Sequence, residues 1–450
     1  MPDGSGTMHA YADIARDSAA TETSLDWLAA LRRDAAERYA DQGLPGRRDE
    51  YWRYTNLNAL AAAAFTPAGE GFSPAAAQIA EAARIATDAA RIVFVNGRLR
   101  PELSALDGLP DGVTIGSLAE MLTNSPDRIE PWLGNIAETG AAAMAALNTA
   151  ALGDGLVLFV ADGVNVEAPI ELVSVGAPEA GGVLFQPRNL VVLGDHASAT
   201  LIEIHAGARD GAGYFANIVT EIAVGEGARL AHYKVQEDSP DAFHLALTEV
   251  RLADRAKYES FVLQSGGRIG RNETRVRIAG EGVDCLLDGI YLAGGDQVLD
   301  NTTLVDHVAP ACRSRQVFKG VLDGASRGVF QGKIHVAREA QQTDGHQLSR
   351  ALLLSPKAEI DARPELEIYA DDVKCSHGAT AGDLDDDAMF YLLSRGIEQP
   401  IARRLLTGAF LADALANVSY PGVADILRAR IDDWLDRHIG AAPEIEEVAL

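Results

Sequence analysis

Residues 191–203 read VVLGDHASATLIE: an aliphatic run, a Gly-Asp turn, an alanine, then a second run alternating apolar with polar. The phrase returns as IAVGEGARLAHYK from Ile222, VRLADRAKYESFV from Val250 and VRIAGEGVDCLLD from Val276. It returns again as GVLDGASRGVFQG from Gly320 and LLLSPKAEIDARP from Leu352. The copies lie about 30 residues apart, with one wider gap, which is the range of solenoid repeats. Period-2 alternation on both sides of a tight turn reads as strand–turn–strand. One such unit cannot bury its apolar face alone, whereas stacked units can. The chain is therefore expected to be mainly β, with residues 153–380 forming a solenoid core.

Outward from this core the texture changes on both sides. Residues 1–23 are small, polar and Gly/Ala-rich and read as a disordered tail. Ser24 can cap a helix on which Leu25, Leu28, Leu31, Ala35 and Tyr39 follow helical spacing, until Gly43 and Pro45 stop it. The aromatic and charged stretch Arg47 to Thr55 comes next. Ala-rich helical segments then run to about Ala90, followed by the strand Ile92–Val95, the turn Asn96-Gly97 and further helices to about Ala151. Residues 24–152 are thus expected to be a helical domain. Near Asp383 the period becomes helical again. Asp385 can cap Ala388–Leu393, and Gly396 suits the position after that helix. A second helix from Pro400 is expected to place Ile401, Leu405, Ala409 and Leu415 near one face. A third carries Val423, Ile426, Leu427, Ile431, Trp434 and Leu435, and the acidic tail after Pro443 is expected to be solvated. Residues 381–450 form a C-terminal helical domain in this reading, and a chain cut after about Asp383 is expected to leave a soluble solenoid.

Composition narrows the function. Across 450 residues, 39 basic and 65 acidic side chains give a formal charge of −26, which repels phosphate backbones and anionic lipid, so neither nucleic acid nor membrane is an expected partner. The three cysteines, Cys285, Cys312 and Cys375, are far apart and form no CxxC pair. A disulfide framework, a zinc knuckle and a self-sufficient Fe–S cradle are all unexpected. The first twenty residues do not read as a signal peptide and no run approaches membrane length, so a reducing cytoplasm is the expected compartment.

The sharpest motif is DDVKCSHGAT, Asp371 to Thr380. In an extended strand Cys375 and His377 leave the same face, and thiolate with imidazole makes half a site for iron or zinc. The plainer alternative is a buried thiol beside a turn histidine. Gly328–Ile334, GVFQGKI, resembles a phosphate-binding loop but is one residue short and has Ile334 where Ser or Thr is required. It reads as a solenoid turn, so any ATP must be bound by a partner. Asp306-His307 and Lys333-Ile334-His335 lie on neighbouring phrases, either as an acid/base site or as corner residues. Cys285 and Cys312 read as packing residues, and Tyr51-Trp52-Arg53-Tyr54 as a staple docking the N-terminal domain.

Longer stretches carry a family resemblance. DNTTLVDHVAP (Asp300 to Pro310), FKGVLDGASRGVFQGKIHV (Phe318 to Val336) and the run from Ala340 to Ile397 closely resemble the SufB/SufD family of iron–sulfur cluster assembly. RRDEYWRYTNL (Arg47 to Leu57) is similar to the family's entry motif. The resemblance implies a right-handed parallel β-helix flanked by helical domains. It implies a non-catalytic scaffold in which SufD pairs with its paralogue SufB, each bound to a copy of the SufC ATPase. Sulfur comes from a cysteine desulfurase system and the nascent cluster forms at the SufB–SufD interface. On this resemblance His377 matches the SufD histidine of the CSHGAT motif, and Cys375 matches its neighbour. No cofactor is then held stably by this chain alone: the Fe–S cluster is transient, and ATP sits on the partner. Phe390, Leu406 and Phe410 become candidates for ATPase docking. The segment Gln347–Leu353 lacks the ligand cysteine of SufB-type chains, and His377-Gly378-Ala379 stands where SufB tends to read His-Glu-Ala. The resemblance is therefore to the SufD type, with a SufB-like paralogue as the alternative. From another class, a carbohydrate-active β-helix enzyme would use Asp371-Asp372, although adjacent strand residues point to opposite faces. A purely structural interaction solenoid is the third reading.

Overall fold

A computed structural model describes residues 11–86, 88–137, 142–179, 181–209 and 212–440. Its centre is a parallel β-solenoid of two facing sheets between which the chain alternates. The first sheet runs through Leu156–Val160, Arg188–Leu193, Tyr214–Val224, Phe243–Leu252, Ile269–Ile278, Val298–His307, Arg327–Val336 and Glu359–Ile368. The second runs through Ala90–Val95, Ile170–Gly176, Ser198–Gly207, Arg229–Glu237, Lys257–Gln264, Asp284–Ala293, Arg313–Leu322, Asp344–Leu353 and Lys374–Gly382.

The repeated phrase is the crossing between sheets. Its third turn residue takes the left-handed conformation, as at Gly227 (φ 62°) and Gly282 (φ 67°), and at His196 (φ 59°) and Arg255 (φ 56°). Glycine meets this demand without a Cβ clash, which is why it recurs there. Flanking alternation then sends every second residue inward. Leu158, Val191, Ile222, Val250, Val276, Val305 and Ile334 stack in register down the first sheet and are all fully buried. Not every inward column is apolar. Thr220, Thr248, Thr274 and Thr303 form a buried ladder beside it. On the second sheet the buried Glu203 carboxylate meets His205 Nε2 at 2.7 Å, His232 Nε2 at 2.9 Å and Lys234 Nζ at 3.3 Å. Burial opposes ionisation of Glu203, but these three partners hold its carboxyl well below the usual range.

Several expectations change against the structure. Ala12–Ala19 is a helix with Ala15 and Ala19 buried, so order begins before residue 23; residues 1–10 lie outside the described ones. The next helix spans Asp26–Gln42 as its spacing predicts, but Leu25 rather than Ser24 stands at its N-terminus. The expected strand at Ile92–Val95 is present as Ala90–Val95 but joins the second sheet beside Ile170–Gly176, and Val113–Ser117, where further helices were expected, pairs antiparallel with Leu156–Val160. Gly328–Ile334 lies within the strand Arg327–Val336 rather than in a turn, so its amides belong to the sheet ladder.

The stretch around Trp52 is the expected staple. The Arg271 guanidinium lies over the Trp52 ring at 4.1 Å, Thr55 Oγ1 donates to Asp300, and Gln331 Nε2 donates to the Tyr51 carbonyl at 3.0 Å. At the other end, Pro421–His438 buries Val423, Leu427, Ile431, Trp434 and Leu435 against outward residues of the second sheet, among them Tyr233, Phe261 and Ile290. Removing everything after Asp383 would bare this apolar face, so a soluble truncated solenoid is no longer expected. In Gln399–Ala412 the buried residues are Ala402, Thr407 and Leu411, while Leu405 and Ala409 point outward, a face rotated from the one the spacing predicts. The acidic tail lies outside the described residues.

Candidate functional site

The two ends of the solenoid differ. At the first, short antiparallel strands close both sheets, Arg98–Leu99 on Ala90–Val95 and Val113–Ser117 on Leu156–Val160. At the last, Glu359–Ile368 and Lys374–Gly382 each pair on one side only among the described residues, leaving an unpaired edge.

The CSHGAT motif is part of this last strand. Cys375 lies in register above Gly345, Ser314 and Cys285, and His377 above Gln347, Gln316 and Leu287. Both columns are buried lower in the stack, so both residues occupy inward-facing positions at the mouth of the bore, as a spacing of two demands. Their settings differ. Cys375 is half-buried and packs with Ile334, Val336, Ala340 and Ala370. Burial pushes its thiol pKa up, with hydrogen bonding to the Gly345 backbone opposing. His377 is exposed and makes no hydrogen bond or ion pair with the described residues. Between them Ser376 faces outward, its Oγ 2.6 Å from His346 Nδ1, and His346 Nε2 is 2.7 Å from Asp344 Oδ1. Among the described residues no group of three His, Cys, Asp or Glu side chains is placed to hold a metal ion. Cys375 and His377 thus present two donors at an open end and need further ligands from elsewhere to close a site.

The remaining candidates separate. Asp306 Oδ1 and His335 Nδ1 meet at 2.6 Å on the outer face of the first sheet, with the Tyr369 ring edge-on to the histidine. His307 points the other way, buried with Nε2 2.8 Å from Ser314 Oγ, and burial lowers its pKa to about 4. Asp371-Asp372 sit in the turn before the last strand, where the Asp372 carbonyl accepts from the Gln342 amide at 2.6 Å. Cys285 and Cys312 are buried, as packing residues should be. Among the docking candidates, Phe390 is 73% exposed. Leu406 is half-buried, and Phe410 is held by the solenoid, with Lys319 Nζ 4.7 Å from its ring and 2.5 Å from its carbonyl. Tyr391, Leu393 and Leu405 are exposed as well and were not read as docking candidates, because a mostly apolar helix does not reveal which face is free.

Residues 176–410 match the family model described as SUF system FeS cluster assembly, SufBD core domain, and residues 8–172 match the SufBD protein N-terminal region. The chain belongs to the SUF-system SufBD family. An iron–sulfur cluster assembly SufBD family protein of Synechocystis is 33% identical over 415 residues, covering 91% of each chain. The iron–sulfur cluster assembly protein SufD of Escherichia coli is 33% identical over 398 residues, covering 87% of this chain and 90% of the relative. Protein ABCI7, chloroplastic, of Arabidopsis thaliana is 30% identical over 426 residues, covering 93% and 88%. SufBD proteins are components of Fe–S cluster assembly, and a β-solenoid with N-terminal and C-terminal helices is the architecture this member uses. No helix among the described residues is long and apolar enough to cross a membrane.

Proposed function

We propose that this chain is the SufD-type scaffold subunit of an Fe–S assembly complex, pairing through its open solenoid end with a SufB paralogue. His377 serves there as a transient ligand or proton acceptor for the forming cluster, which is the complex's product. The observation carrying this reading is the setting of His377: exposed, without a hydrogen bond among the described residues, at the mouth of the bore on a strand with a free edge. A second chain laid along that edge brings its own donors to the half-site, and a ligand shared between subunits is released when they move apart. Neutral imidazole binds iron through one ring nitrogen. Cys375 is secondary, because burial favours its neutral thiol. The C-terminal helices dock the SufC-type ATPase through the exposed patch of Phe390, Tyr391, Leu393 and Leu405. ATP stays on that partner.

The test is anaerobic reconstitution of the complex carrying His377→Ala, followed by Fe–S absorbance. The fold and the complex should survive, since an exposed side chain contributes within about 0.5 kcal/mol of stability. Cluster formation should fall at least about tenfold, as expected for loss of a ligand. A wild-type yield and rate would remove His377 from the site.

A further inference from the structure

Below His377 the inward column of the second sheet continues with Gln347, its register neighbour, and then Gln316. Gln347 is 3% exposed. Its side chain crosses the bore to the first sheet, where Nε2 donates to the Gly332 carbonyl at 3.3 Å and to the Glu365 carbonyl at 3.1 Å. Two carbonyls around the nitrogen fix the amide orientation, because an oxygen in that place would face two acceptors. Oε1 is left buried and accepts from no donor among the described residues.

Room for this crossing comes from one residue. The threonine ladder Thr220, Thr248, Thr274, Thr303 stops at Gly332, the next position of the same column. A Cβ at Gly332 would overlap Gln347 Oε1. Gly332 does not need glycine for its backbone, since its φ is not in the left-handed range. The missing side chain is therefore explained by the space that the Gln347 amide and, beside it, the Phe330 ring occupy, the amide oxygen being the nearer. The bore is thereby floored, one rung below its mouth, by an amide with an unspent acceptor.

We infer that Gln347 is the positioning residue for His377: when the imidazole turns over the mouth of the bore, Oε1 accepts its ring N–H and leaves the other ring nitrogen free for iron. A ligating histidine needs one nitrogen protonated and the other bare, and an acceptor behind the ring fixes which is which. Buried oxygen without a donor is costly, and this contact satisfies it. The inference rests on the reading of His377 as a ligand given above.

Three variants test it in the full-length chain, alone and within the reconstituted complex. Gln347→Met keeps the volume and removes the acceptor. Gly332→Ala keeps Gln347 and displaces its amide, with a smaller push on the Phe330 ring. Gln316→Met removes a glutamine of the same column one rung deeper, whose Oε1 is already engaged by Thr303 Oγ1 at 2.6 Å. Imidazole 15N shifts of His377, assigned by difference from His377→Ala, report the tautomer without reference to cluster formation. Expected is a single dominant tautomer in the wild-type and Gln316→Met complexes, a mixture in the other two, and an initial rate of cluster formation lowered about tenfold in those two alone. Unfolding temperatures and circular dichroism identify any variant that fails to fold, and the remaining one of the pair then decides. An unchanged tautomer in Gln347→Met or Gly332→Ala overturns the inference. So does an equal rate loss in all three variants, Gln316→Met included, which marks a merely structural role. If His377→Ala assembles clusters normally, the ligand reading falls instead, and the tautomer shift alone still reports whether Gln347 holds the ring.

Discussion

The inward positions of one strand at the last rung carry two donor atoms in unlike surroundings, and their substitutions should differ accordingly. Cys375 packs among Ile334, Val336, Ala340 and Ala370. Cys375→Ser should cost about 1 kcal/mol through a hydroxyl placed in an apolar setting. It should slow cluster formation far less than His377→Ala in the same anaerobic assay, whereas an equal loss would make the thiol a true ligand. A second residue tests burial directly. Asp288 is 2% exposed, accepts from the Val317 amide at 3.0 Å and from Asn417 Nδ2 at 2.8 Å, and burial raises its pKa from 3.8 to about 6. The folded state therefore holds this proton more tightly than the unfolded state, and stability falls as pH rises from about 4 to about 6. Asp288→Asn should remove that slope, gaining up to about 3 kcal/mol over the native chain at pH 8 and little at pH 4. Urea melts at the two values check the sign. The shared face of Cys375 and His377 was legible from a spacing of two. Gln347 beneath His377 was not, because its place depends on the register between strands about thirty residues apart.

Elements explain what pattern reading reaches. The repeated turn phrase identifies the solenoid because its left-handed residue and its alternation arise from one physical demand, a sharp crossing between two half-buried strands. Val113–Ser117, VTIGS, escapes the same reading: it is short, contains a glycine and is half-buried over most of its length. Gln399–Ala412, QPIARRLLTGAFLA, carries apolar side chains on most faces, so spacing alone could not choose the buried one. That ambiguity leaves an exposed patch whose use can be measured. Phe390→Glu with Leu405→Glu should abolish co-purification of the SufC-type ATPase while leaving the unfolding temperature nearly unchanged, since both side chains are already solvated. Retention of the ATPase by the doubly substituted chain places the docking surface elsewhere. Point changes are the right tool here, because the neighbouring helix Pro421–His438 covers the second sheet with Trp434 and Leu435 and cannot be cut away harmlessly.

Among the described residues the solenoid is a stack closed at its first end and unpaired at its last. Amides on the free edges of Glu359–Ile368 and Lys374–Gly382 have no ladder acceptor within the described chain, so they should exchange with solvent quickly in the isolated protein. In the complex with a SufB paralogue their exchange should slow by about tenfold or more, while strands such as Phe243–Leu252 stay unchanged. Undiminished exchange along both edges would place the pairing surface elsewhere. An unpaired parallel edge is also a template for any strand that reaches it, including one from a misfolded neighbour. The consequence of the proposed pairing is a matter of supply: chain made in excess of its partner is expected to carry sticky, unfinished ends, and synthesis of the two in step would avoid that surplus.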